Sequence, residues 1–348
     1  MSRQKRLELI QKIERLRNSK VICYLTSLRP NVPGQIAGDQ VPIFFKHLSR
    51  LDKRPVEKLD IFLCSNGGDG TVPWRLTALF REFSKSFDVL IPYRAYSAAS
   101  LLALGADEIV MHPFGEMGPI DPTVTNEFNP SNPITNRQIG ISVEDVKAYI
   151  SFIKETVGIT HEDELVRTIE ILANKVHPLA LGNVERFISQ SRMIARKILK
   201  NRKNNVDDHV IEEIVENMAS RLYFHGHPIN RKEAKNELKL HVNDELGPDI
   251  ESALWDLYEL YDAEFENKKE FRPADPLLKQ RYQVYKAGGQ IPLPATYDST
   301  ETLLHCMIES EALCSKHTTT REYYLTDLGP DQEPQIREIV TGQGWDHQ

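Results

Sequence analysis

The chain has 348 residues, of which 40% are hydrophobic and 27% charged, so it is long enough to bury a core without disulfides or metals. A formal net charge of −7 gives no overall attraction for nucleic acid, and a mean hydropathy of −0.42 argues against a membrane protein. The basic residues between 192 and 203 have helical spacing, which favours a solvated helix face over a nucleic-acid contact.

The amino terminus carries Leu7, Ile10, Ile13 and Leu16 at helical spacing but no continuous apolar stretch. This pattern predicts an amphipathic docking helix over residues 1–20 and not a signal peptide. No run of about eighteen apolar residues occurs along the chain, so no transmembrane helix is expected.

The cysteines have no C-x-x-C spacing, which favours buried structural thiols in a reducing cytoplasm. The sequence also contains no P-loop, no HExxH, no GxGxxG after the first strand and no carboxylate cluster with metal-site spacing. We therefore expect neither a cofactor nor a metal. The cysteines are Cys23, Cys64, Cys306 and Cys314.

Short apolar runs alternate with helical patterns over the first 120 residues. Such alternation is typical of βα crossovers and predicts an α/β fold with a parallel sheet. The predicted strands are residues 21–26, 60–64, 88–92 and 108–112, and the predicted helices are 41–51, 71–85 and 98–104.

The pattern changes to helices from residue 142 to about 260, which predicts a helical layer. The chain from residue 261 to 348 is first rich in Pro and Gly and then alternates apolar and polar residues, which favours a late β-hairpin. We therefore expect one domain over 1–260 and a C-terminal extension over 261–348.

Two turns rich in small residues follow consecutive predicted strands, SNGG at 65–68 and AYSAA at 95–99. In a parallel sheet both turns lie at the carboxyl edge, where ligands bind in α/β folds. Ser97 would present its hydroxyl there, while the Ala98 amide and a glycine amide could converge on one oxyanion. Taken singly, Ser97 could be a helix cap and SNGG an ordinary turn; their pairing at one edge favours a catalytic site.

Three sequence blocks resemble the serine dehydrogenase proteinase family, which is related to signal peptide peptidase A and more distantly to the Clp protease subunit. They are SNGG at 65–68, AYSAASLLALGADEIVM at 95–111 and GEMGPIDP at 115–122. The resemblance implies a Clp/crotonase-like α/β fold and peptidase activity.

The resemblance also implies site residues. The family's nucleophile is the serine eight residues before the glycine of a GAD-like turn, a spacing that Ser97 has relative to Gly105, whereas Ser100 is only five residues away. The oxyanion hole would then use Gly67, Gly68 and Ala98. Two prolines flank Asp121, which we interpret as part of the site wall rather than as a catalytic group.

Two lysines are candidates for the general base that accepts the proton of the nucleophile. Signal peptide peptidase A uses a lysine about fifty residues after its serine, and Lys147 has this spacing from Ser97. Lys154 follows one heptad later on the same predicted helix. Either side chain could instead be an ordinary lysine at a helix flank.

Histidines offer an alternative base. His177 precedes a proline at a helix entrance, and His225 and His227 occupy a segment that weakly resembles the family. His112 lies too close to the end of its strand to be convincing. A dyad and a triad both remain open.

Three functions are compatible with these residues. The first is a serine peptidase acting on peptides or unfolded proteins through a Ser97 acyl-enzyme, as a homo-oligomer. The second is a crotonase-type enzyme that acts on a CoA thioester with the same oxyanion hole. The third is a non-catalytic assembly module that has lost the base.

Overall fold

The computed structural model describes residues 3–120, 123–124, 127–132, 138–203, 206–221, 227–272, 277, 282–283, 286–288, 295–328 and 334–348. The strands of this described part are, in chain order, β1 Lys20–Thr26, β2 Leu59–Cys64, β3 Phe87–Ile91, β4 Arg94–Ala95, β5 Ile109–Met111, β6 Glu116–Met117, β7 Thr123–Val124, β8 Ile141–Ser142, β9 Ile229–Asn230, β10 Val242–Asn243, β11 Ala295–Ser310, β12 Leu313–Leu328 and β13 Pro334–His347.

Helices cover both faces of the sheet, and π-helical segments at Phe152–Thr156 and Asn217–Arg221 continue two of them. The α-helices of the described chain are α1 Arg3–Arg17, α2 Gln40–Leu48, α3 Val72–Phe83, α4 Ala98–Leu104, α5 Val143–Ser151, α6 Glu162–Ala173, α7 Pro178–Lys200, α8 Asp208–Glu216, α9 Arg231–Asn236 and α10 Pro248–Glu264.

The main sheet has the order β10-β5-β3-β2-β1-β11-β12-β13. The half from β10 to β1 is parallel, and the half from β11 onward is antiparallel. The predicted α/β architecture, with its parallel sheet, helical layer and C-terminal extension, is confirmed. The extension joins the same sheet, because β11 pairs with β1.

Strand β1 shows why the apolar runs are continuous. Ile22 and Tyr24 face the core beneath α2, α3 and α4, whereas Val21, Cys23 and Leu25 face the core beneath α1 and α10. Successive side chains of a strand point to opposite faces, and here both faces are covered. The run therefore contains no polar residue that alternates toward solvent.

The amino-terminal helix α1 packs against other elements of the same chain. Ile10 and Ile13 are fully buried in the core that α10 also covers, and Arg6 donates to the buried Glu309 carboxylate at 2.6 Å. The apolar stripe that was predicted to dock is therefore covered by helix α10 of the same chain. Helix α10, which covers α1, lies more than two hundred residues away from it in the sequence.

Candidate active site

Ser97 has a strained backbone. It connects β4 to α4 with φ 52° and ψ −116°, and its side chain makes no capping hydrogen bond. A non-glycine residue with positive φ is uncommon, and such strain is retained where the surrounding structure requires it. A strained serine between a strand and a helix is the geometry that exposes a nucleophilic hydroxyl.

The glycine turn at 65–68 lies beside this serine. Ser65 pairs with Ala95 as an isolated parallel bridge, in which the Ser65 amide donates to the Arg94 carbonyl at 2.8 Å and the Tyr96 amide to the Ser65 carbonyl at 3.0 Å. Gly67 has φ +101°, which favours glycine. The two turns that follow β2 and β3 are thus joined directly at the carboxyl edge of the sheet.

Two amides next to the Ser97 hydroxyl have no acceptor within the described residues, those of Gly68 and Ala98. The third candidate is different, since the Gly67 amide donates to Ser65 Oγ at 3.0 Å. Gly67 therefore shapes the turn, and only Gly68 and Ala98 have amides available to an oxyanion.

A cavity of about 310 Å³ opens at Ser97. Its far wall is α7, which sequence analysis did not connect with the site. The helical period of α7 was visible in the sequence, but nothing indicated which face would meet the serine. The lining residues are Gly68, Asp69, Gly70, Thr71, Ser97, Leu101, Ile120, Phe187, Gln190, Ser191 and Ile194.

Ser100 has a structural position. It is fully buried, and its hydroxyl lies 2.7 Å from the carbonyl oxygens of both Ala95 and Gly118. It also accepts from the Gly118 amide at 3.2 Å. These contacts tie α4 to the turn at Gly118, and Ser100 does not line the cavity.

A carboxylate holds the side chains around the strained turn. Glu116 on β6 accepts from Tyr96 Oη at 2.9 Å and from Arg94 Nε at 3.0 Å. Burial, together with the hydrogen bond to Glu116, raises the pKa of Tyr96 to about 12. Tyr96 therefore remains a neutral hydrogen-bond donor that fixes the residue preceding Ser97.

The two lysine candidates lie on consecutive helical segments. Lys147 is on α5, and its side chain lies outside the described residues. Lys154 is on the π-helical segment that continues α5, where it is exposed and does not line the Ser97 cavity. Lys154 therefore stays a lower-ranked candidate for the base.

Two of the histidine candidates, His177 and His227, are not brought to Ser97. His177 caps α7, accepts from the Leu179 amide at 3.2 Å and stacks on Phe128 with ring centroids 5.1 Å apart. His227 contacts Glu233 at 2.7 Å. Neither lines the cavity, and His225 and Asp121 lie outside the described residues.

A larger cavity of about 750 Å³ lies on the opposite face of the sheet, where aromatic residues of α10 line it. His112 is there, stacked on Trp255 with ring centroids 5.1 Å apart. None of the residues that line that cavity is a serine with positive φ, so a larger volume does not by itself identify an active site. We place the candidate site at Ser97.

Three further observations bear on the site and its surroundings. In the part of the chain that the structure describes, no group of three or more His, Cys, Asp or Glu residues is arranged to hold a metal ion. No helix in the same part is long and apolar enough to cross a membrane. All four cysteines are buried and unpaired.

No family model matches the sequence. An uncharacterized protein of Methanocaldococcus jannaschii is 24% identical over 269 residues, which are 74% of this chain and 76% of that protein. A variant of the 1510-N membrane-bound stomatin-specific protease has a TM-score of 0.33 and 14% identity, with 64% of this chain and 80% of that chain covered. A peptidase from Plasmodium falciparum has a TM-score of 0.30 and 13% identity, with 69% and 99% covered. Scores this low do not establish a shared fold, so the function is inferred from the chain's own site.

Proposed function

We propose that the chain is a serine peptidase of the Clp/crotonase type that hydrolyses peptide bonds through an acyl-enzyme on Ser97. One observation carries the proposal: a strained, cavity-lining serine lies beside two amides, of Gly68 and Ala98, that have no acceptor in the described chain. Donors aimed at a developing oxyanion are typically the largest contribution to acyl transfer.

The chemistry follows from this arrangement. Ser97 Oγ attacks the peptide carbonyl carbon and its proton passes to a base, while the new oxyanion accepts hydrogen bonds from the Gly68 and Ala98 amides. The intermediate collapses with loss of the amine, which takes up the proton. Water then attacks the ester carbonyl and gives a proton to the base, which passes it to Ser97 Oγ as the acid leaves.

Lys147 is the base that we propose. The helix α5 that carries it packs on α7 through Val146, Val184 and Ile188, and α7 also forms the far wall of the cavity. The spacing of fifty residues after Ser97 is that of signal peptide peptidase A. A lysine can serve as the base at neutral pH when desolvation lowers the pKa of its amine, and this is the role that the proposal requires of Lys147.

The cavity supports a peptide substrate. Leu101, Ile120, Phe187 and Ile194 give it apolar walls, and Gln190 adds a neutral polar group. Asp69 also lines the cavity. Pockets that are mostly apolar bury an apolar part of the ligand and fix its orientation with a few polar contacts. We propose that extended peptides or unfolded segments bind there.

The enzyme would act as a homo-oligomer in the cytoplasm. Helix α6 supports assembly, because Thr168 is its only buried residue while Val166, Ile169 and Ile171 are exposed. Val166 and Ile169 lie one turn apart on the same face of the helix, and exposed apolar neighbours of this kind mark interaction surfaces. The four buried thiols suit a reducing compartment, and burial raises the pKa of Cys64 to about 12, which suppresses its reactivity.

The deciding experiment treats the purified chain with a fluorophosphonate and follows peptide hydrolysis. The proposal expects labelling on a single serine together with turnover of an unstructured peptide. No label and no turnover would refute it. In that case, binding of CoA would favour the enzyme that acts on a CoA thioester. If CoA did not bind, the non-catalytic assembly module would be favoured.

A further inference from the structure

A short extended segment, residues 35–37, lies against the outer edge of the glycine turn. Ile36 pairs with Gly68 as an isolated parallel bridge. The Ile36 amide donates to the Gly67 carbonyl at 2.8 Å, and the Asp69 amide donates to the Ile36 carbonyl at 2.8 Å. The peptide units on both sides of Gly68 are therefore held by one residue.

The hydrogen bond from the Ile36 amide to the Gly67 carbonyl fixes the direction of the Gly68 N–H, which is the proposed oxyanion donor. The Gly67 carbonyl and the Gly68 N–H belong to one peptide group, which is planar and trans, so the two point in opposite directions. Because the carbonyl is fixed on Ile36, the N–H is directed away from residues 35–37. Gly68 and Ser97 line the same cavity, and Gly67 packs directly against Ser97. The orientation of the Gly68 amide thus depends on the position of Ile36.

The segment is held in turn by the side chain of Gln40, in the first turn of α2. Gln40 is buried, and its Oε1 accepts from the Ala37 amide at 3.0 Å while its Nε2 donates to the Gln35 carbonyl at 2.7 Å. A carbonyl can only accept and a backbone N–H can only donate, so the orientation of the side-chain amide is unambiguous. Tyr24 Oη on β1 also donates to Oε1.

The side chain of Gln40 therefore pairs with residues 35–37 as a neighbouring strand would, and the segment has Gly68 on its other edge. The contact with the turn is close, since a Cβ added to Gly68 would lie 2.3 Å from the Ile36 carbonyl oxygen. Packed groups at this distance cannot move independently. A shift of residues 35–37 is transmitted to the Gly68 amide.

We propose that Gln40 is a positioning residue for the oxyanion hole, acting on the Gly68 amide through residues 35–37. It does not line the Ser97 cavity, so it acts without touching the substrate. This proposal rests on the proposed function, because the aim of the amide matters only if Ser97 is acylated.

The test compares Gln40→Met with the unmodified chain. Methionine keeps the length of the side chain and removes both hydrogen bonds to residues 35–37. We expect kcat for peptide hydrolysis to fall about tenfold to a hundredfold while KM stays within about twofold. A donor with the wrong orientation no longer stabilises the oxyanion of the transition state, whereas binding of the substrate does not depend on it. Hydrogen exchange should become faster at the Ile36 and Asp69 amides, a readout that does not depend on activity.

Gln40→Glu adds a readout that a merely structural role would not produce. A buried carboxyl has a raised pKa, and only its protonated form can donate to the Gln35 carbonyl. We therefore expect kcat of this variant to recover as the pH is lowered, relative to the unmodified chain, at a temperature where both are folded. This variant decides the question if Gln40→Met does not fold.

Ser84→Ala is the matched control, because it removes a buried hydrogen bond from Ser84 Oγ to the Phe80 carbonyl that has no link to the turn. It should lower Tm and leave kcat unchanged. Folded Gln40 variants with the kcat, pH profile and hydrogen exchange of the unmodified chain would overturn the positioning role. An unmodified chain that neither reacts with fluorophosphonate nor cleaves peptide would instead overturn the proposed function.

Discussion

A Cβ added to Gly67 would lie 2.8 Å from the Cβ of Ser97 and 2.6 Å from the Tyr96 carbonyl oxygen. The glycine turn and the strained serine are therefore packed against each other with no space for a side chain between them. Real Cβ atoms do not approach other atoms this closely, so any larger residue at position 67 would displace the serine. The relative position of the proposed nucleophile and the proposed oxyanion donors depends on this contact.

Replacing Ser97 with alanine should abolish fluorophosphonate labelling and leave Tm almost unchanged, since the Ser97 side chain makes no capping hydrogen bond. The control is Ser100→Ala, which removes hydrogen bonds to the Ala95 and Gly118 carbonyls. It should cost about 1–3 kcal/mol of unfolding free energy and retain labelling. Labelling that survives in Ser97→Ala and disappears in Ser100→Ala would transfer the nucleophilic role to Ser100.

Gly68→Ala should lower kcat by about a hundredfold to a thousandfold, the usual cost of losing one oxyanion donor. The added Cβ would lie 2.3 Å from the Ile36 carbonyl oxygen, at a φ of +150°, so the turn has to move. Gly182→Ala on α7 is the control, because a Cβ there meets nothing within 4 Å. Full activity in Gly68→Ala at unchanged Tm would show that this amide does not bind the oxyanion.

The sequence predicts those parts of the molecule that depend on local pattern. Buried strands such as β1 and β2 are continuous apolar runs, and the predicted helix at 98–104 agrees with α4. The turns after β2 and β3 could be placed together because parallel strands end at one edge. These features need only neighbouring residues and one rule of topology.

Other features depend on contacts that periodicity does not encode. The helical period of α7 does not say that Phe187 and Ile194 face Ser97, and the amphipathic pattern of α1 does not say that α10 covers it. Gln40 is an ordinary polar residue in the sequence, and only the fold brings its amide to residues 35–37. The base stays a prediction for a related reason, since spacing alone selected Lys147.

Lys147→Ala should abolish acylation of Ser97 while Lys154→Ala and His177→Ala leave it intact. Lys154 is exposed and His177 stacks on Phe128, so neither side chain lines the cavity. The measurement is the rate of fluorophosphonate labelling of each variant across pH, with circular dichroism as the check on folding. Loss of labelling in His177→Ala together with full labelling in Lys147→Ala would make the enzyme a Ser-His hydrolase.

Stability should depend on pH through His47, which joins α2 to β11 and β12. Its Nδ1 lies 2.9 Å from Ser310 Oγ and its Nε2 lies 3.0 Å from Ser315 Oγ. Burial lowers the pKa of His47 from 6.5 to about 3. The unfolded state therefore binds the proton first, and the free energy of unfolding falls as the pH drops from about 6.5 toward about 3.

Urea unfolding at about pH 7.5 and about pH 5 measures this effect in the unmodified chain and in His47→Gln. The unmodified chain should lose about 2 kcal/mol more than the variant over this interval, which follows from the linkage relation. Two partly buried histidines, His112 and His305, also have a lowered pKa, and taking the difference between the two proteins removes their contribution. Equal losses in both proteins would show that His47 does not titrate in this way.

Assembly is expected from the helix α6, on which Val166, Ile169 and Ile171 are 54%, 51% and 62% exposed. A second copy that covers Val166 and Ile169 and extends along α7 would reach the cavity, because Phe187 of α7 lines the cavity and is exposed. Access to Ser97 would then be limited to extended chains, which protects folded proteins from a peptidase without an unfolding motor.

Sedimentation at micromolar concentration should show a closed oligomer of the 39.9 kDa chain. Ile169→Glu should shift it toward the monomer, whereas Val340→Glu on β13, which is similarly exposed but distant in sequence, should not. A single species near 39.9 kDa that cleaves peptides would refute assembly as the source of selectivity.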